Sequence, residues 1–373
     1  MNIYPKKHKI FFILFASLLT CITLSACGDG SNLLEGAAGT PISNATNTEE
    51  TKEDTPTPEL PTATPFPPAV GRILFVSNRN GQNNLYIASP DGSQIEQLTV
   101  NIAEDSAPRL SPDGTRIAFV STVNNNADIY ILDLFSKALT RVTDSPEKDS
   151  SPTWSPDGRQ LAFESFRDGN FEIYIANIDG SNPYRLTNDP AADTTPVWSP
   201  TSNEIAFVSN RFGNADIFLT NPAGQIFTLT TSPAPDNAPA WSPNGNLLAY
   251  QTFSSDLSNL CIIGRDGLNH RCITNNFAQY SPPVWSPDGA WLASSGSAAI
   301  HLFNISDGAT QQLSASGIKP LGAPAFSADG LRLIFQAQFN GDIELFSALI
   351  PTNEFTQVTA FSGYDGEAIW INQ

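Results

Sequence analysis

The sequence predicts an all-β fold, a seven-bladed β-propeller of four-stranded antiparallel blades, and three observations carry that expectation. Ser-Pro-Asp-Gly begins at Ser111, Ser155 and Ser286, with variants at Ser199, Ser242 and Ser327, each spaced 41 to 44 residues from the last. A hydrophobic residue followed by Thr or Ser recurs at Leu98, Val142, Leu186, Leu229, Ile273, Leu313 and Val358. Finally, the ends are complementary. Gly71-Arg72-Ile73-Leu74-Phe75 reads as a second strand with no first, and Gly366-Glu367-Ala368-Ile369-Trp370 as a first strand with nothing after it. Periods of about 40 to 45 residues with several strands per period mark propeller blades. The C-terminal strand is expected to pair into blade one over residues 71–373, because closure removes the exposed edges that invite aggregation.

Within each repeat the elements follow in order. A short first strand ends in a large apolar residue, at Leu110, Trp154, Trp198, Trp241, Trp285, Phe326 and Trp370. The Ser-Pro-Asp-Gly turn follows, with Pro fixing φ and Gly supplying the positive φ a tight turn needs. The second strand alternates with period two, as at Ile117/Phe119, Leu161/Phe163, Ile205/Phe207 and Leu333/Phe335, the pattern of a half-buried strand. A third strand carries Ile129-Tyr130-Ile131, Ile173-Tyr174-Ile175 or Ile217-Phe218-Leu219, and Asp-Gly turns follow it at Asp91, Asp179, Asp266 and Asp307. The fourth strand runs to the hydrophobic-Thr marker. Four such strands make one blade.

The run Pro152 to Gly158, followed by Leu161-Ala162-Phe163-Glu164-Ser165, Arg167, Gly169 and Ile173-Tyr174, resembles the propeller repeats of TolB-like proteins, relatives of the WD repeats. The resemblance covers residues 71–373 and implies the fold. TolB itself carries an extra N-terminal domain and fewer blades, so its role in envelope maintenance is not carried over; fold alone does not license function. Oligogalacturonate lyases resemble the sequence in the same repeats, and that resemblance implies a metal held by histidines. Prolyl-oligopeptidase-type enzymes carry similar propellers, and their hydrolase domain has no counterpart here.

Ahead of the repeats, Lys6, Lys7 and Lys9 form a basic head and Ile10 to Leu24 is apolar, the order of a secretory signal. Leu24-Ser25-Ala26-Cys27 resembles a bacterial lipobox, which implies diacylglycerol on Cys27, cleavage before it and acylation of the new N-terminus. Residues 1–26 are thus expected to be a lipoprotein signal peptide. Residues 27–70, rich in Thr and Pro, are expected to form a disordered tether, its proline-rich part extended at about 3.1 Å per residue. The folded domain is expected outside the cytoplasm in the bacterial cell envelope, anchored to a membrane through lipid.

Composition narrows the partners. The formal charge of −18 sharpens once the three signal lysines are removed, and so acidic a surface repels nucleic acid. No Gly-x-Ser-x-Gly elbow occurs, and the histidines beyond the signal, His270 and His301, sit in no motif. No catalytic residue, cofactor or metal site is therefore expected, calcium being the one ion considered. The expected partner is an envelope protein, a peptide or a cell-wall glycan, bound by a monomeric, non-catalytic scaffold. The alternative is a metal-dependent polysaccharide lyase of the oligogalacturonate type.

Two sets of residues remain. Asp105, Asp149, Asp193, Asp236 and Asp365 each lie five residues before the large apolar residue that ends a first strand, so they share one place near a channel mouth. Tyr280 and Leu321 interrupt the ring in blades six and seven. The favoured reading is that each Asp caps the loop entering its strand; the alternative is a ring suited to a hard cation or a basic peptide. Arg79, Arg167 and Arg211 fall in loops on the same face and are the expected ion-pair partners. A two-residue turn at Asp266-Gly267 sets Cys261 opposite Cys272, near the spacing a disulfide requires.

Overall fold

The computed structural model describes residues 66–100 and 103–371. The signal peptide, Cys27 and the tether as far as residue 65 lie outside them. The described strands form seven four-stranded antiparallel sheets. Blade one is closed as its halves require: Asp365–Ile371 pairs with Arg72–Ser77, followed by Asn84–Ala88 and Ile95–Gln97. The other six blades are each continuous in sequence.

The repeated motifs have local causes. In five blades the turn serine donates from Oγ to the Asp or Asn two residues on, at 2.5–2.8 Å. The same oxygen accepts the amide five residues on, at 2.9–3.0 Å. One hydroxyl thus holds both ends of the turn, and Gly158 closes it at φ 65°. The hydrophobic-Thr marker works the same way. In six blades its hydroxyl accepts the N–H of an aliphatic residue near the start of the third strand, at 2.9–3.0 Å. It then donates to the preceding residue on that strand, which is Asn84, Asp128, Glu172, Asp216, Asn259 or Glu344.

Packing between blades uses large side chains at fixed register. Phe75, Phe119, Phe163, Phe207 and Phe335 are fully buried or nearly so on second strands. Each faces an aromatic residue of the third strand at 5.6–6.2 Å between centroids, worth about 0.5–1.5 kcal/mol per pair beyond area burial. Tryptophans link neighbouring blades. Nε1 of Trp154, Trp241 and Trp285 donates at 3.0 Å to Arg109, Val197 and Ala240 of the preceding first strand. Trp370 donates to Val70 at 2.8 Å, and Arg332 reaches the Pro67 carbonyl at 2.5 Å, so residues just ahead of the first repeat contact the propeller.

Blade five pairs Cys261 with Cys272 in register and joins them by a disulfide. The turn is not the two-residue form expected. Gly264 N–H donates to Leu268 and Gly267 N–H to Gly264, a wider loop with Gly267 at φ 79°. An extra left-handed residue, Asn269 at φ 58°, restores the offset, and the cysteines meet.

Candidate functional site

Every first strand that carries the repeated aspartate also bends two residues after it. Ala107, Ser151, Thr195, Ala238 and Glu367 have φ between 49° and 54°, and the register slips at each. These are β-bulges, which re-aim a strand where pairing must yield to function or curvature. The signal was present as Asp-x-x-Pro at Asp105, Asp149, Asp193 and Asp236, but proline before a barrel corner reads equally as a strand edge. Beyond the bulges, Pro152, Pro196, Pro239 and Pro283 from four successive blades line one cavity of about 270 Å³, the central channel. Arg109 also lines it, donating to the neighbouring Pro108 carbonyl at 2.9 Å. The residue is exposed along the channel, with Glu367 as the nearby charge.

The five aspartates occupy one repeated place, and their side chains are turned into the blades: all are fully buried. Each is paired in register with a hydroxyl residue of the second strand, Ser77, Ser121, Ser165, Ser209 or Thr252. In blades one, three and four an arginine two residues beyond that serine completes the unit. Arg79, Arg167 and Arg211 each place one terminal nitrogen 2.8–3.1 Å from both oxygens of Asp365, Asp149 and Asp193. Their Nε donates to Ser77, Ser165 and Ser209 at 2.7–2.9 Å. Each guanidinium also lies 4.4–5.8 Å from the two stacked rings of its blade, close enough for cation–π attraction.

Blades two and five lack the arginine. In blade two Val123 holds its place, and Ser121 donates to Asp105 at 2.6 Å. In blade five Ser254 holds it. Asp236 Oδ1 accepts from Ser232 at 3.3 Å, while Oδ2 has no hydrogen-bond partner. Burial pushes the Asp236 carboxyl up, only partly offset by the nearby hydroxyls of Thr252 and Thr230. Tyr250 beside it is raised by the same burial and by the carboxylates of Asp236 and Asp216.

The two described histidines stay apart in role. His270 stacks on Tyr250 in blade five, centroids 6.1 Å apart. His301 packs edge-on against Tyr280 in blade six, 5.6 Å away, and burial lowers its pKa. Cys261, His270 and Cys272 bring metal-ligand atoms within 4.8 Å of one another, but both sulfurs are spent in the disulfide.

With this geometry in view, the comparisons agree on the fold. Residues 72–251 match the family model described as PD40, TolB beta propeller domain. TolB from Acinetobacter baumannii superposes with a TM-score of 0.56 at 21% identity, over 81% of this chain and 67% of that one. An oligogalacturonate lyase in complex with manganese gives 0.65 at 17% identity, over 75% and 86%. The oligogalacturonate lyase of Vibrio parahaemolyticus gives 0.63 at 16%, over 75% and 87%. No curated protein matches. Residues 72–251 thus match the TolB propeller family model, and the likeness to the solved structures is one of fold, a β-propeller.

Proposed function

We propose that the protein is a non-catalytic binding scaffold, lipid-anchored through Cys27 on the outside of the cytoplasmic compartment, that recognises an envelope protein, a peptide or a cell-wall glycan. One observation carries the reading. At the aspartate face the five repeated aspartates are buried and, in three blades, locked onto arginines. The turns beside them expose apolar side chains among charged ones such as Lys148 and Asp256: Phe212 at 67%, with Val123, Leu257 and Phe277 also exposed. Rigid blades presenting variable loops are a recognition surface. Exposed apolar side chains in these turns suit a partner better than solvent.

A lyase of the metal-dependent type would need histidines converging on one ion. His270 and His301 lie in different blades, each packed against a tyrosine, so these residues do not fit such a centre and no step is assigned through a metal. The likeness to oligogalacturonate lyases concerns the fold.

Photo-crosslinking in the native envelope tests the proposal. A photoreactive residue at Phe212 should give a discrete adduct, whereas one at Phe135, exposed at the opposite end of blade two, should not. Adducts from neither position, or the same adducts from both, would contradict it.

A further inference from the structure

Blade five retains the arginine socket of blades one, three and four without its arginine. In the filled sockets four walls surround the guanidinium. They are the aspartate of the first strand, the hydroxyl paired with it, the second-strand aromatic ring, and the connection arriving from the preceding blade. The last wall is visible at Arg211, whose Nε lies 3.9 Å from Asp189, and at Arg79, 5.4 Å from the Phe361 ring.

All four walls recur in blade five as Asp236, Thr252, Tyr250 and the Thr230–Ser232 connection. Ser254 replaces the arginine, and disulfide-bonded Cys261 stands at the register position where Phe218 supplies the second ring in blade four. Three of these walls, Asp236, Tyr250 and the Thr230–Ser232 connection, line a cavity of about 320 Å³, with Gly267 and His270 also lining it. Asp236 lines it while fully buried, and its Oδ2 is without a hydrogen-bond partner. Buried carboxylate oxygens are normally satisfied. Blade two shows how the same omission is settled internally, since Ser121 turns its proton onto Asp105.

We infer that this cavity, between blades four and five, is a binding site for a guanidinium group supplied by a ligand. One nitrogen would take the place Arg211 gives its own, donating to Asp236, and the flat face would lie along the Tyr250 ring. A guanidinium suits the space better than an ammonium, because its planar fork satisfies a carboxylate while stacking on an aromatic face. The acidic chain, at −18, draws cations toward it. The inference goes beyond the scaffold reading and does not depend on it, since an arginine side chain of a peptide and a small guanidinium metabolite present the same head group.

Calorimetric titration of the full chain with Nα-acetyl-arginine methylamide tests it, with the citrulline analogue as the uncharged isostere. The arginine probe should bind saturably and the citrulline probe about tenfold or more weakly, as expected when a charged hydrogen-bond donor is lost opposite a buried carboxylate. Asp236→Asn should weaken the arginine probe by a similar factor. Thr231→Trp, at an exposed position on the mouth, should do so without moving the melting temperature. Agmatine binding as tightly as the capped arginine would assign the site to a small guanidinium compound; tighter binding of the capped arginine would assign it to a peptide. Equal binding of the citrulline probe, no saturable arginine binding, or unchanged affinity in both variants would overturn the inference.

Discussion

Arg211 holds both carboxylate oxygens of Asp193 with a single nitrogen, at 2.9 and 2.8 Å, while its Nε binds the serine paired with that aspartate. The pair joins the start of the first strand to the turn after the second, so one ion pair ties the inner and middle parts of a blade together. The same arrangement recurs in blades one and three, and its absence in blade five makes a controlled comparison within one molecule.

Asp193→Asn should therefore destabilise the protein and Asp236→Asn should not. Removing one partner of a buried pair costs about 3–5 kcal/mol. Because Arg211 keeps 12% of its side chain exposed, a loss nearer about 1–3 kcal/mol is expected for Asp193→Asn. Asp236→Asn removes a buried charge that has no cationic side chain in contact, so its denaturation midpoint should equal or exceed the parent's. Chemical denaturation of the two variants side by side checks this.

The advantage of Asp236→Asn should fade in acid. The carboxyl is pushed above its ordinary 3.8, so its cost is fully present above the folded value and is relieved as pH falls toward 3.8. Asp216, Tyr250 and His270 are its charged or titratable neighbours, and Asp216 is raised by the same burial. The turn aspartates behave oppositely. Serine hydroxyls and backbone amides hold Asp113, Asp157 and Asp288 below the ordinary range. Their stabilisation is present above about 3.8 and is lost as pH falls through their lower folded values. Melting curves between neutral and strongly acidic pH should show the variant and parent converging before both decline.

Thr195→Asn should stabilise the fold. Thr195 is β-branched at φ 49°, and its buried hydroxyl has no partner. Asn tolerates the left-handed region far better, and strain of this kind costs on the order of 1–3 kcal/mol. A gain of about 1 kcal/mol by urea denaturation is expected.

Ending the chain after Tyr364 should open the ring. That removes Asp365–Ile371, and with it the partner of Arg79 and the Trp370 bond to Val70. The exposed edge of Arg72–Ser77 is then free to pair between molecules. Size-exclusion chromatography should show aggregates, whereas a monodisperse product with an unchanged melting temperature would contradict closure.

Much of this was legible in the sequence because the repeat is periodic and its physics local. The turn serine, the marker threonine and the large apolar residue each sit where one hydrogen bond or one packed ring demands them, so blade number and strand order follow from spacing. The bulges were not legible, because a left-handed Ser151 before Pro152 looks like an ordinary strand residue until its register is known. Nor could the direction of the aspartate side chains be read. Spacing places Asp149 and Asp236 alike; only the fold shows the first filled by Arg167 and the second facing a cavity. The cysteine pairing was reached through a turn of different form, because Asn269 supplies the residue the wider loop displaced.

The most direct measurement of the central claim is metal content of the purified full chain, together with turnover of acidic oligosaccharides in added manganese and calcium. A non-catalytic scaffold predicts no stoichiometric metal and no product above the uncatalysed background. Stoichiometric metal with metal-dependent cleavage would contradict it.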